Sequence, residues 1–364
     1  MKNRMKNKFM KSGLALCLIG LFPSTMGFSE TIPSNQSSGP SRAFSMAYNK
    51  IFPTIAGKAT VAAAMAGTKA CSTIKIASTT DESTLGFASY INYVMCVLIH
   101  DAKLTSASSS TVTLADGTVL HSEIASGTTI AANSAFGTTY GYEARIWTCS
   151  SSCTVTTSFK PLLYMIFDVK VTGTSLTTNK GELWIDTGAI LGTAGSLGFY
   201  SVYDLPETGD QSIELKGMKT TIFSDGTSEA FHGKLTKTSV GTSSENTKAS
   251  FAISNPTTGF ATVAALNFTG RYGTDTLTGG LYADTTRGTV STTTAMSSLD
   301  VSGYSCFSGA LGASDYTITT TTGCSALPVI TMSETLAAVA TFTYDTIMAT
   351  TPVWAVMKTG PSAL

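Results

Sequence analysis

Charge is scarce in this 364-residue chain: Asp, Glu, Lys and Arg together make up 13% of it. Past residue 11 the basic residues form no block or stripe, and no RNA-binding aromatic motif accompanies them, so nucleic acid is not an expected partner. Histidine is scarcer still. His100, His121 and His232 are the only three. They are scattered, and none stands at metal-ligand spacing from a cysteine, so no zinc or other metal site is expected. There is no Gly-x-Ser-x-Gly, His-Glu-x-x-His, phosphate-cradling glycine loop or calcium-loop pattern. Asp225-Gly226 and the residues after it, up to Glu229, offer oxygen ligands, but a hairpin turn accounts for them. The chain is therefore expected to be non-catalytic and to need no cofactor. Beyond the N-terminus no apolar run approaches the ~20 residues of a membrane helix. A repeat of fixed period is also missing, which argues against a propeller or a solenoid.

What is present starts with a targeting signal. Lys2, Arg4, Lys6, Lys8 and Lys11 form a basic opening, and Gly13–Phe22 is an apolar core too short to span a bilayer. Gly27 and Ser29 then supply small residues for cleavage before Glu30. Residues 1–29 read as a secretory signal peptide. Taking those five basic groups from the 23 in the chain leaves 18 against 23 acidic ones, a balance of −5. The expected location is exported: periplasm, outer membrane, cell surface or secreted.

Seven cysteines become six once Cys17 leaves with the signal. An even count in an oxidising compartment implies disulfides, and neighbouring pairs suggest Cys71–Cys96, Cys149–Cys153 and Cys306–Cys324. Two cysteines four apart on one strand would lie ~13 Å apart, too far to bond. Cys149 and Cys153 are therefore expected to flank a three-residue hairpin loop and staple it.

Residues 30–41, rich in Ser and Pro, are expected to form a flexible mature N-terminus. Residues 42–105 read as a helical segment. Its best helix is 81–102, where Asp81 and Glu82 suit a helix start and Phe87, Tyr90, Ile91, Val94, Val97 and Leu98 recur at three- and four-residue spacing. Cys96 lies on it and Cys71 just upstream, so the helix is expected to be stapled, a lid or plug packed on the rest.

From residue 106 to 364 the pattern is one of strands. Ser and Thr make up roughly a quarter of the whole chain, far above ordinary usage. Asp116-Gly117 and Asp225-Gly226 mark tight turns. Strand runs are expected at 111–114, 118–120, 143–149, 153–157, 163–171, 182–187, 198–203, 212–223, 230–240, 248–254, 259–272, 276–283, 287–296 and 316–322, with a last, longer strand over Thr335–Thr350. Asn179-Lys180-Gly181 reads as part of a polar loop. Runs at this spacing without intervening helices make the fold class mainly β. The architecture is a large antiparallel meander, either a strongly curved open sheet or barrel-like, with a small N-terminal helical part packed on it.

The meander is clearest at Leu163–Val171. Leu163, Met165, Phe167, Val169 and Val171 form an unbroken apolar face, while the even positions run to Asp168 and Lys170. Tyr164 shares the even face, Trp184 lies on the partner strand, and Trp147 precedes them. These rings, with Phe87 and Tyr90 of the helix, are the candidate ligand-binding residues: packed under the helix they are core, and under a movable lid they line a pocket for a lipid or other hydrophobic small molecule. A surface adhesion or structural protein with an envelope partner is the second expectation, and an outer-membrane β-barrel the third.

Overall fold

The computed structural model describes residues 109–114, 117–130, 140–172, 175–190, 194–206, 208–220, 228–255, 260–270, 276–287, 305–310, 339, 341–350 and 352–364. The signal peptide, the N-terminal helical segment with Phe87 and Tyr90, and the pairings Cys71–Cys96 and Cys306–Cys324 lie outside the described residues, in whole or in part.

Twelve strands form one sheet in chain order, each antiparallel to the next. They are β1 (Ser109–Thr113), β2 (Val119–Ile130), β3 (Tyr140–Cys149), β4 (Lys160–Thr172), β5 (Ser175–Asp186), β6 (Gly198–Asp204), β7 (Gln211–Thr220), β8 (Ser228–Thr238), β9 (Asn246–Asn255), β10 (Phe260–Thr269), β11 (Thr276–Arg287) and β12 (Ser305–Ala310). Among the described strands β1 and β12 are the two edges, so the sheet is open. Among the described residues three short helices with both ends described accompany it: α1 (Thr187–Ile190), α2 (Tyr344–Met348) and α3 (Pro352–Met357).

Three local expectations are corrected. The β1–β2 connection is not a two-residue turn. The Gly117 N–H donates to the Leu114 carbonyl and the Leu114 N–H to the Thr118 carbonyl, with Gly117 at φ +86°. A bulge-type connection places its glycine in that left-handed region. The second correction concerns Asn179-Lys180-Gly181, which is strand: β5 begins at Ser175 and pairs with β4 across these residues. Polar side chains alone do not end a strand whose backbone has neighbours on both sides. Third, the stretch after Thr335 includes helix. Thr343 and Thr346 form a reciprocal capping box at the start of α2, and Tyr344, Ile347 and Met348 fall on one helical face. The β-branched threonines imitate a strand, but Pro352 at the first position of α3 confirms helical chemistry.

The staple is present with a changed setting. Cys149 and Cys153 form a disulfide with Cα atoms 5.8 Å apart. Cys149 ends β3, but β4 does not begin until Lys160. The bond therefore closes a tight loop at the end of β3, followed by a single 3-10 turn over Thr156–Ser158, instead of bridging adjacent strands.

Candidate functional site

Paired residues on neighbouring antiparallel strands share a sheet face, so the register defines two faces at the centre of the sheet. One row runs Arg145–Tyr164–Trp184–Tyr200–Lys216–His232 across β3 to β8, and the next runs Glu143–Ile166–Glu182–Val202–Glu214–Lys234. These rows form the Trp184 face. The opposite, Leu163 face carries Leu163, Met165 and Phe167 of β4, Leu183 and Ile185 of β5, and Phe199, Ser201 and Tyr203 of β6.

On the Trp184 face aromatic rings contact one another across three strands. The Tyr164 and Trp184 centroids are 5.5 Å apart and those of Trp184 and Tyr200 4.9 Å. Beside them Glu182 is fully buried. It accepts hydrogen bonds from the Tyr140 hydroxyl at 3.1 Å and the Tyr200 hydroxyl at 2.9 Å. Burial, reinforced by nearby glutamates, holds the Tyr164 and Tyr200 hydroxyls far above the usual tyrosine range, so both stay neutral. Towards β8, Glu214 pairs with His232 at 2.8 Å; that hydrogen bond, working against burial, holds the Glu214 carboxyl below its ordinary value.

This face is closed by the chain's own C-terminus, a strap of residues 341–364. Tyr140, Trp147, Phe159, Tyr164, Ile166 and Trp184 form one core with Ile347, Met348, Trp354 and Met357. The chain's three tryptophans all lie in this contact, and each donates its indole N–H: Trp147 to the Met357 carbonyl at 2.8 Å, Trp184 to the Thr350 hydroxyl at 2.6 Å, and Trp354 to the Tyr344 hydroxyl at 3.1 Å. A tryptophan is buried at low cost when its one polar atom is satisfied. Two glycines let the strap approach. Met348 and Tyr344 rest on Gly198, and Gly360, at φ +91°, sits against the Thr156 carbonyl next to the disulfide loop.

Carboxylates hold both ends of the strap. Asp186 accepts from the Tyr344 hydroxyl, the Gly195 N–H and the Ala189 N–H. Burial outweighs these hydrogen bonds and raises its pKa to about 6. At the far end Glu123 accepts from both the N–H and the hydroxyl of Ser362. Its neighbour His121, which lies within β2 and not after it, has Nδ1 2.7 Å from the Thr111 hydroxyl and Nε2 3.8 Å from Glu123. Burial lowers the pKa of this imidazole. Hydroxyl, imidazole and carboxylate stand here in the order of a proton relay, but the second gap is beyond hydrogen-bond reach, and Glu123 is engaged by the strap. A separate buried pair, Lys237 and Glu245 at 3.2 Å, ties the β8–β9 loop, whose Gly241 N–H also donates to Glu245.

Of the residues singled out from sequence, Tyr164, Trp184 and Trp147 are brought together and buried beneath the strap. The groups that sequence reasoning missed lie on the Leu163 face. Asn179, Ser201 and Tyr203 are fully buried there, and the Asn179 amide nitrogen and oxygen and both hydroxyls have no hydrogen-bond partner among the described residues. An unsatisfied buried polar group costs about 1–3 kcal/mol. The Tyr203 hydroxyl lies over Gly181, where a side chain would collide with it. The signal available in sequence was the interruption of apolar odd positions by Asn179 and Gly181.

Among the described residues no group of His, Cys, Asp and Glu is arranged to hold a metal ion. No described helix is long and apolar enough to cross a membrane, which says nothing of strands. Comparison of the chain with protein-family models, curated proteins and solved structures finds no match.

Proposed function

We propose that this chain is an exported, non-catalytic envelope protein that binds an apolar, lipid-like ligand against its antiparallel sheet. Export is supported by the N-terminal signal pattern and by the Cys149–Cys153 disulfide, a bond of oxidising compartments. The observation that carries the binding reading is the contrast at the sheet's centre. The Trp184 face is filled by the chain's own strap. The Leu163 face carries Leu163, Met165, Phe167, Leu183, Ile185 and Phe199, all fully buried, interrupted by polar atoms with no partner among the described residues. Ligand sites combine apolar residues with a few placed polar groups. Tyr164, Trp184 and Trp147 then form the rigid backing of the site, and take part in binding directly only if the strap leaves.

The test is extraction of the purified protein, prepared from an exported fraction, followed by mass spectrometry of the organic phase. A stoichiometric amphiphile supports the reading. A protein with no extractable ligand that also fails to take up any added lipid overturns it. A second reading, an outer-membrane barrel, is favoured by the neighbour-to-neighbour strand order and by strands of ten residues or more. It requires β1 and β12 to be joined, and recovery of the protein only from detergent-extracted outer membranes would favour it over a soluble binding protein.

A further inference from the structure

The cysteines of the Cys149–Cys153 bond stand only four positions apart. Cross-linking so short a loop stabilises a fold little, because the gain grows with loop length. Nor is the bond needed to hold the strands together. Cys149 pairs with Val119 and Thr148 with Lys160 across the ladder, Phe159 is fully buried, and the Ser158 and Phe159 N–H groups donate to the Val155 and Thr156 carbonyls. Both sulfurs therefore stay neighbours whether or not they are bonded. The closed ring also holds Ser152 at φ +54°, a left-handed conformation that serine seldom adopts. The two sulfurs differ in access. Cys149 is 2% exposed and part of the core, whereas Cys153 is half-buried and flanked by exposed Ser151, Ser152, Thr154 and Val155. Disulfides that are exposed or strained are the ones that exchange with thiols.

We propose that Cys149–Cys153 is a reversible thiol-exchange site, opened at Cys153 by a dithiol, and that its state sets how firmly the far end of the C-terminal strap is seated. The site is independent of the ligand-binding reading above. A thiolate of the dithiol attacks the Cys153 sulfur and bonds to it. The bond between the cysteines breaks, its electron pair leaving on the Cys149 sulfur, which takes up a proton. The second thiol of the dithiol then displaces Cys153 as a thiol. The dithiol is thereby oxidised to a disulfide, and its two electrons and two protons end on the cysteine pair. An acceptor for the new Cys149 S–H is already in place, the Ser151 carbonyl 3.2 Å from its sulfur. The strap is built onto this loop. Gly360 lies against the Thr156 carbonyl, so close that a side chain there would collide. Trp147, two residues before Cys149, donates to the Met357 carbonyl at 2.8 Å, and Cys153 packs on the core that holds Trp354 and Met357. Opening the ring loosens that seat, while α2 is latched separately by Asp186.

The test treats the oxidised full chain with dithiothreitol under native conditions and follows it by alkylation and peptide-resolved mass spectrometry, which separates this pair from the other cysteines. Cys149 and Cys153 should become alkylatable at a rate that rises with dithiothreitol concentration and exceeds global unfolding by about tenfold or more. The bond should re-form when glutathione disulfide replaces the reductant. The monothiol 2-mercaptoethanol should leave its adduct on Cys153, and an adduct on Cys149 overturns the assignment of the attacked sulfur. In the reduced chain, amide hydrogen exchange over residues 355–362 should quicken about fivefold or more, with residues 341–349 unchanged. The double variant Cys149→Ala/Cys153→Ala should show the same quickening without reductant, and dithiothreitol should add nothing to it, which sets aside any effect of the other cysteines. Reduction of the pair only at the rate of global unfolding makes the bond a plain staple and overturns the proposal. Native-state reduction that leaves exchange over 355–362 unchanged overturns the link to the strap.

Discussion

The two faces of the sheet are built from the same strands and treated in opposite ways. On the Trp184 face three indoles, three tyrosines and two carboxylates meet partners of matching chemistry. On the Leu163 face the apolar residues are as deeply buried, yet the side-chain polar atoms of Asn179, Ser201 and Tyr203 among them have no partner among the described residues. A face that is only core has no use for Asn179, because leucine there would avoid the loss of hydrogen bonds to water. Both faces are covered by the chain, and what separates them is how many of their buried polar atoms find partners among the described residues.

The largest expected effect falls on the Trp184 face. Trp184→Ala removes a fully buried indole in contact with Tyr164 and Tyr200, together with the bond to Thr350. Urea denaturation should show a loss of about 3–5 kcal/mol. On the same strap, Val356 is 58% exposed, and Val356→Ala should change stability by less than about 0.5 kcal/mol. Near-equal losses would mean that the strap is not docked through its tryptophan side.

A smaller effect tests the latch at the strap's first helix. Burial raises the Asp186 carboxyl from 3.8 to about 6, so between those values the folded chain holds a proton that the unfolded chain has released. Stability from this group therefore falls as pH rises from about 4 to 6, by roughly 2–3 kcal/mol. His121 works the other way. Its imidazole is lowered by burial, so the unfolded chain binds the proton first and stability is lost as pH drops below 6.5. Asp186→Asn should cancel the first trend and leave the second, so thermal midpoints between pH 4 and 7 should fall more steeply on acidification in the variant than in the parent. Parallel curves would remove Asp186 from the account.

Much of the sheet was legible before any coordinates, because period two survives wherever one face is apolar. The odd positions from Leu163 to Phe167 announce a strand, and the register pairs Tyr164 with Trp184 on its other face. Two things were not legible. Alternation does not reveal what covers the even face, and the cover is a segment whose residues Thr350 and Met357 are more than 160 positions from the indoles they serve. Its helices are five and six residues long, too short for a clear helical period, and its threonines imitate a strand. The polar trio was hidden for a different reason. Asn179 and Gly181 resemble loop residues, and only the register with β4 and β6 reveals that they sit inside a ladder.

The finest comparison uses one chemical change on one strand. Tyr200 and Tyr203 both belong to β6 and face opposite ways. The Tyr200 hydroxyl donates to a buried glutamate at 2.9 Å, while the Tyr203 hydroxyl has no partner. Tyr200→Phe strips one donor from the Glu182 carboxylate and should cost about 1.5–3 kcal/mol, the range for hydrogen bonds to charged groups. Tyr203→Phe removes a hydroxyl with no partner among the described residues and keeps the ring, so the protein should be unchanged or slightly more stable. Urea denaturation of both variants measures the asymmetry directly. A comparable loss at Tyr203 would mean that its hydroxyl is satisfied within the fold, and the contrast between the two tyrosines would disappear.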